Sequence, residues 1–410
     1  MSANAADPAI GADLGTGHFL LYVEVLDAEE TGRFLEATYA EMKRFFADVE
    51  PDRKLQVKIY ATKERYQLEM DRLRRVFSVK RKARDTHGLY LRETACAYLY
   101  LQPEEYETRK LLVHEVAHEY HDAIRPWSKV PSLAFCDEGI AEYFSLHDWD
   151  GQRLRLGIVP PIAKLDYAKA ALRQLQNNVR FDLESVVAGD TEVDYPLAWG
   201  LVSFLVDQHR PKFDTWRQGI NNDVDPRVVW QKQFGPVTPE LLKSFEAWLQ
   251  SRVCRWEVIS GEWSPAGDGV EGIAREDEFA MAILDQPSAK LAITFDPSRS
   301  NTICGAVFGF RGARNYHVLQ HCPDGHWDLM HFEGTYFPKE QRRSFPARSG
   351  AVSSISVEPG ERVTTLTFDE LTVGVTNVAG YVGLWVKEGR MRFPNPSISF
   401  ATNSIDPVKR

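Results

Sequence analysis

The chain has no uninterrupted apolar run near the ~20 residues that span a bilayer, so no transmembrane helix is expected. It has no basic excess either. The formal net charge is -9, and nucleic acid, which calls for a basic footprint, is not an expected partner. The opening "MSANAADPAIGADLGTG" lacks the basic start and apolar core expected of a secretory leader. Cysteine is scarce: Cys96, Cys136, Cys254, Cys304 and Cys322 stand apart, with no C-x-x-C pair. That argues against a thiolate zinc site or a dithiol redox motif. Cys304 and Cys322 suit a bridge in an oxidising compartment, and equally suit buried small hydrophobes. There is no internal repeat and no low-complexity segment.

What remains is 410 residues, 43% hydrophobic and 26% charged, enough for two or three domains with real cores. Residues 1–17, rich in Ala, Gly and Asp, are expected to form a loose arm. "HFLLYVEVL" and "KLQVKIYAT" have the texture of strands, each followed by a helical pattern. "HGLYLRE" and "ACAYLYLQ" then suggest a hairpin or strand pair. A mostly helical stretch runs from "LLVHEVAHEYHD" to "PELLKSFEAWLQSRV". After about residue 256, short β-branched segments punctuated by Gly, Pro, Asn and Asp predict an all-β sandwich or barrel. A linker is expected near "CRWEVISGEWSPAGDG", residues 254–269. The expected fold class is multidomain α+β, with an arm at 1–17, a mixed domain at 18–255 and a β-sandwich at 256–410.

Chemistry concentrates in "HEVAH". Four residues is one helical turn, so His114 and His118 can aim two imidazoles at one point. Glu115 lies too far round to be a third helical ligand, but it can reach a water held by a metal. The plain alternative is a chance match in a polar helix face. A catalytic zinc takes three protein ligands and keeps one position open. The helix pattern "CDEGIAEYF" follows, with Glu138 and, one turn on, Glu142 on one face, although a solvated face would look alike. Gly139 and Ala141 permit a close helix approach.

"HEVAH" with "DEGIAEYF" resembles the gluzincin zinc metallopeptidases, and the organisation over about 18–255 is similar to their peptidase-MA-like branch. The resemblance implies Zn²⁺ as cofactor, with His114, His118 and Glu138 as ligands, Glu115 as general base and Glu142 in a supporting contact to a histidine. It implies a substrate strand just before the zinc helix, which falls on Ala97, Tyr98 and Leu99. It also implies an oxyanion donor, for which Tyr195 is the candidate, although a tyrosine there can equally be a packing anchor. A metzincin pattern would want a glycine at position 121 and a histidine at 124, where the chain has His121 and Ile124; His121 is expected at the surface or behind the ligands. The chain lacks a "G-x-M-E-N" segment that would grip a free amine, so an endopeptidase is expected ahead of an exopeptidase.

The tail resembles concanavalin-like jelly rolls in "SGEWS", "VFGFRGARNYHVLQ" and "GYVGLWVKEGRMRFPN". That implies an accessory sandwich and a carbohydrate partner, by fold analogy alone. Tyr316, Trp327, Phe332, Tyr336 and Phe337 are its central aromatics, expected mostly in the core, and His317, His321, His326 and His331 lack ligand spacing. The leading expectation is a zinc metallopeptidase acting on a peptide or protein, glycosylated or not, with an extracytoplasmic setting favoured by the resemblance. The alternatives are a glycan-binding protein on a silent peptidase-like scaffold, and a zinc hydrolase of a non-peptide amide.

Overall fold

The structure is a computed structural model. It describes residues 12–77, 85–125, 134–149, 151–157, 166–177, 182–191, 193–222, 224–253, 256–266, 269–285, 289–296, 302–312, 315–333, 342–347, 353–360, 362–376, 378, 380–394 and 396–400. These divide into two compact units, one holding the residues up to 157 and 167–253, the other Asp166 and the residues from 256 on.

The first unit opens with β1 (Ala12–Gly15), β2 (Phe19–Val23), α1 (Ala28–Phe45), β3 (Leu55–Tyr60), α2 (Lys63–Val76), β4 (Gly88–Leu91) and β5 (Cys96–Tyr100). The sheet order is β1-β2-β3-β5-β4. The β2–β3 and β3–β5 pairs are parallel, and β1 and β4 are antiparallel edges. Part of the expected loose arm is therefore strand: Ala12–Gly15 pair with Leu20–Val23, because an edge of β2 is open to them. Residues 1–11 lie outside the described residues. Helix α1 is capped by Asp27, whose side chain accepts from the Glu29 and Glu30 amides at 2.9 and 3.0 Å. Its face of Phe34, Leu35, Tyr39 and Met42 packs into a core shared with Phe19, Leu21, Val57 and Ile59.

Helices follow: α3 (Glu105–Ile124), α4 (Ala134–Ser145), the strand pair β6 (His147–Trp149) and β7 (Leu154–Leu156), then α5 (Tyr167–Asn177), α6 (Leu183–Ala188), α7 (Tyr195–Asn221), α8 (Pro226–Phe234) and α9 (Pro239–Arg252). Helix α7 runs through to Asn221 across a kink. Pro211 has no amide to donate back, and His209 leaves helical geometry at φ -140°. No helix among the described residues is long and apolar enough to cross a membrane.

The second unit is all β: β8 (Trp256–Ser260), β9 (Glu262–Ala266), β10 (Gly269–Leu284), β11 (Ala289–Phe295), β12 (Ile303–Phe310), β13 (Asn315–Cys322), β14 (His326–Glu333), β15 (Arg343–Pro346), β16 (Ser353–Glu358), β17 (Val363–Phe368), β18 (Leu371–Thr376), β19 (Tyr381–Pro394) and β20 (Ser397–Phe400). One sheet runs β15-β14-β13-β12-β19-β10-β8, with β9 also on β10; the other runs β18-β17-β16-β11-β20. Strand β11 alternates strictly between buried and exposed positions. Its Leu291, Ile293 and Phe295 join Ala306, Phe308, Trp327 and Leu384 of the first sheet in one core, which makes the unit a sandwich.

Within the stretch expected as a linker, Trp256–Ser260 and Glu262–Ala266 are instead strands. Strands β8 and β9 both pair with β10, and Gly261 at φ +72° turns the chain between them. Buried Trp256 and Trp263 supply the apolar anchorage that a linker lacks. Cys254 lies outside the described residues, as do Tyr336 and Phe337. Cys304 and Cys322 are free and buried. Tyr316 and Trp327 are buried, while Phe332 is half-buried and stacks on Tyr316.

Candidate metal centre

Helix α3 is anchored by buried Leu112, Val113, Val116, Ala117 and Tyr120. That fixes its rotation and leaves His114 and His118 on one face, as their spacing requires. Helix α4 crosses beside it with Phe135, Ile140, Ala141 and Phe144 in the core. Gly139 is where α4 touches α7: a Cβ there would sit 2.5 Å from the Ala198 carbonyl oxygen and 2.6 Å from Val202 Cγ2. The glycine was marked from sequence as a site of close approach, and its neighbour proves to be the α7 backbone.

The structure brings the expected ligands together. His114 Nε2 is 3.1 Å from His118 Nε2. Glu138 Oε2 lies 3.4 Å from the first and 3.3 Å from the second. All three ligand atoms lie within 4.8 Å of one another. A tetrahedral cation with ligands at 2.0–2.1 Å has edges of ~3.3 Å, which these separations match. Glu138 Oε2 is also buried with no aligned hydrogen bond, despite the two imidazoles beside it. A buried carboxylate oxygen left in that state is costly, and a cation would satisfy it. The residues present therefore fit a divalent metal.

The supporting contact expected of Glu142 is present: its Oε1 lies 3.2 Å from His114 Nδ1. Burial alone would push the His114 imidazole down, but the Glu142 and Glu138 carboxylates hold it well above its ordinary value. Burial would likewise raise both carboxylates; the His114 and His118 imidazoles instead hold Glu138 far below its usual range, and His114, helped by Lys110, holds Glu142 down at about 2.

Glu115 is buried, and burial raises its carboxyl against the partial relief of His114, His118 and an amide bond. That amide belongs to Tyr90, which donates to Glu115 Oε2 at 2.6 Å. Gly88, two residues earlier, makes room for the same side chain: a Cβ there would lie 3.1 Å from Glu115 Cγ and Oε1. Neither contact was anticipated from sequence.

Tyr195 begins α7, and its ring stands edge-on to His114 at 5.9 Å. It is 53% exposed, so it is not a packing anchor. Partial burial and the carboxylates of Glu138 and Glu115 push its hydroxyl up to about 12, which keeps it a proton donor at neutral pH. His121 is buried rather than superficial, stacked on Phe46 with Nδ1 3.2 Å from Asp137 Oδ1.

The substrate strand is the correction. Ala97, Tyr98 and Leu99 are buried in β5, which lies between β3 and β4. The turn before β5, with Ala95 at φ 47°, folds β4 back along its outside, so β4 is the edge. It is β4 that lines the site. Two cavities of about 340 and 400 Å³ share Thr86, Gly88, His114, Glu115 and Tyr195, one extending toward His118 and Asp137, the other toward Lys110 and Gln102.

A second group, Cys322, His326 and Asp328, also gathers within 4.8 Å. Arg342 already supplies its cation, at 2.9 and 2.7 Å from the two Asp328 oxygens and 3.2 Å from His326 Nε2. Burial pushes the Cys322 thiol up to about 12. This cluster is satisfied as it stands and does not fit a metal.

No family model matches the chain, and no curated protein matches it. Among solved structures, a carbohydrate-binding module from Bacillus subtilis is similar at 12% identity, covering 35% of this chain and 95% of that one, with a TM-score of 0.29. A congerin II double mutant is similar at 12% identity, 30% and 100% coverage and TM-score 0.25. The exoplasmic/lumenal domain of VIP36 in its Ca²⁺-bound form is similar at 11% identity, 37% and 84% coverage and TM-score 0.28. Scores this low carry no argument, and the sandwich rests on its own strand pairing.

Proposed function

We propose that the protein is a zinc-dependent peptidase in which His114, His118 and Glu138 hold the metal and Glu115 is the general base. The observation that carries this reading is the convergence of those three ligand atoms, at separations of 3.1–3.4 Å, beside a buried glutamate held for use as a base. Zinc, when bound, supplies Lewis acidity: it polarises a carbonyl and lowers the pKa of water from ~16 to ~7. Glu115 takes the proton of the attacking water and passes it to the leaving amine. Tyr195 donates its hydroxyl hydrogen to the oxyanion. The Tyr90 amide turns away from β5 toward Glu115. The carbonyl of the same residue therefore faces the same open edge, where an extended peptide can pair. Cavities on both sides of His114 and Glu115 let a chain run through, which favours an endopeptidase.

The competing reading is a glycan-binding protein on a silent scaffold. The names of the solved neighbours suggest it, but their TM-scores give it no weight. A silent scaffold also has no use for a carboxylate buried at Glu115. The sandwich is assigned an accessory role, holding glycan or substrate, on fold analogy.

The test is Glu115→Gln in the full chain. It is expected to retain one zinc per chain by elemental analysis and to lose cleavage of a broad peptide library that the wild type hydrolyses. A zinc-loaded wild type that cleaves nothing would turn the case toward the silent scaffold.

A further inference from the structure

Behind the metal-ligating set lies a chain of polar side chains that the peptidase reading does not use. Glu142, on α4, meets His114 Nδ1 with Oε1, while its Oε2 accepts from the Ser145 hydroxyl at 3.1 Å. A further donor to the same carboxylate is the hydroxyl of Tyr167, the first residue of α5. Lys110, one turn before His114 on α3, donates to the Tyr167 oxygen at 3.1 Å, and its ammonium also lies 4.6 Å from the centre of the Tyr167 ring. Tyr167 is itself buried, with Trp199 of α7 edge-on to its ring at 5.8 Å. Four side chains from three helices thus form one line: Lys110, Tyr167, Glu142, His114.

The direction of donation gives the line its meaning. Lys110 has only protons to give, so the Tyr167 oxygen is the acceptor there, and its own proton is left for Glu142. Glu142 takes the protons of Tyr167 and Ser145 and so meets the imidazole as an acceptor, which places the proton between them on His114 Nδ1. That leaves the lone pair on Nε2, the atom beside His118 and Glu138. The same donors occupy Glu142 and keep it from swinging round to become a ligand itself.

We propose that Tyr167, backed by Lys110, is a positioning residue for the metal centre, setting the tautomer and aim of His114 through Glu142. The inference rests on the metal-binding reading of His114, His118 and Glu138. Neither residue is among the ligands: Lys110 lies one turn before His114 on α3, and Tyr167 comes from a third helix, α5.

The experiment measures Zn²⁺ affinity of the full chain by competition with a chromogenic chelator. Removing a carboxylate partner of a ligating histidine weakens metal binding about 10–100-fold, and Tyr167 acts one step further out. Tyr167→Phe removes a single oxygen and keeps the ring; it is expected to weaken Zn²⁺ about tenfold while the melting temperature of the metal-free protein holds. Lys110→Met is expected to weaken it in the same direction and by less. In the zinc-loaded Tyr167→Phe protein, the His114 imidazole N–H resonance is expected to exchange faster with solvent, a signature that loss of packing alone does not give. Unchanged affinity in Tyr167→Phe would overturn the inference and leave the peptidase reading standing, and so would a loss that merely tracks a lower melting temperature. A wild type that takes up no Zn²⁺ would overturn both.

Discussion

Glu115 is held in place by a backbone rather than by a side chain. Its Oε2 takes the Tyr90 amide, and Gly88 leaves space against its Cγ. This gives a test that does not touch the ligands. Gly88→Ala would press a methyl to 3.1 Å from Glu115 Cγ and Oε1 and from Leu111 Cδ1. Zinc content is expected to stay at one per chain while kcat falls about tenfold, since a base must lie within hydrogen-bond reach of the proton it takes. A loss of zinc in step with kcat would show that the glycine serves the helix and not the base. For Tyr195, replacement by Phe is expected to lower kcat by ~10²–10³ with KM little changed, the pattern of a contact made only in the transition state. A raised KM at constant kcat would make it a substrate-binding residue instead. The pattern of what was visible in sequence follows from these contacts. His114, Glu115 and His118 are legible because helical spacing alone brings them together. Tyr90 and Gly88 are not, since an amide and a missing Cβ leave no side-chain signature. Tyr167 is hidden by distance along the chain.

Elements carry the site to its geometry, and α4 is the one under most constraint. Its Glu138 must meet α3 while its Gly139 lies on the α7 backbone, with only 2.5 Å to a hypothetical Cβ. Gly139→Ala must part the two helices, and overpacking of this kind costs about 1–3 kcal/mol. Urea unfolding should show that loss, and Zn²⁺ affinity should fall with it, because the displaced helix bears Glu138. A Gly139→Ala protein as stable as wild type would mean that α4 and α7 are less closely apposed than 2.5 Å implies. The strands show where periodicity stops being informative. β4 and β5 were both legible as strands, but their order was not: nothing in "HGLYLRE" or "ACAYLYLQ" states which one pairs with β3. The site assignment to Ala97, Tyr98 and Leu99 failed for that reason alone. "SGEWS" was read both as part of a linker and as the start of the sandwich, and Trp263 in its middle, buried in the sandwich core, fits the second reading.

At the scale of the molecule, each unit has its own apolar cores. Leu112, Val116, Ile140 and Trp199 sit in one, and Leu291, Ala306, Trp327 and Leu384 in another. Their texture was legible because helical spacing and two-residue alternation look unlike each other over tens of residues. The candidate metal centre is built wholly from α3 and α4 of the first unit. A ligand that binds only the folded state stabilises by RT ln(1 + [L]/Kd), ~2.7 kcal/mol at a hundredfold excess over Kd. That stabilisation should appear only in opening events that break the site. Hydrogen exchange on the full chain, with and without Zn²⁺, is therefore expected to show α3 and α4 amides gaining protection of that order, while β11, β16 and β17 amides exchange as before. If the sandwich amides gained as much, zinc would be reporting on a different locus or on a cooperative unit that spans both sets of cores, and the assignment of one metal to one half of the chain would have to be abandoned.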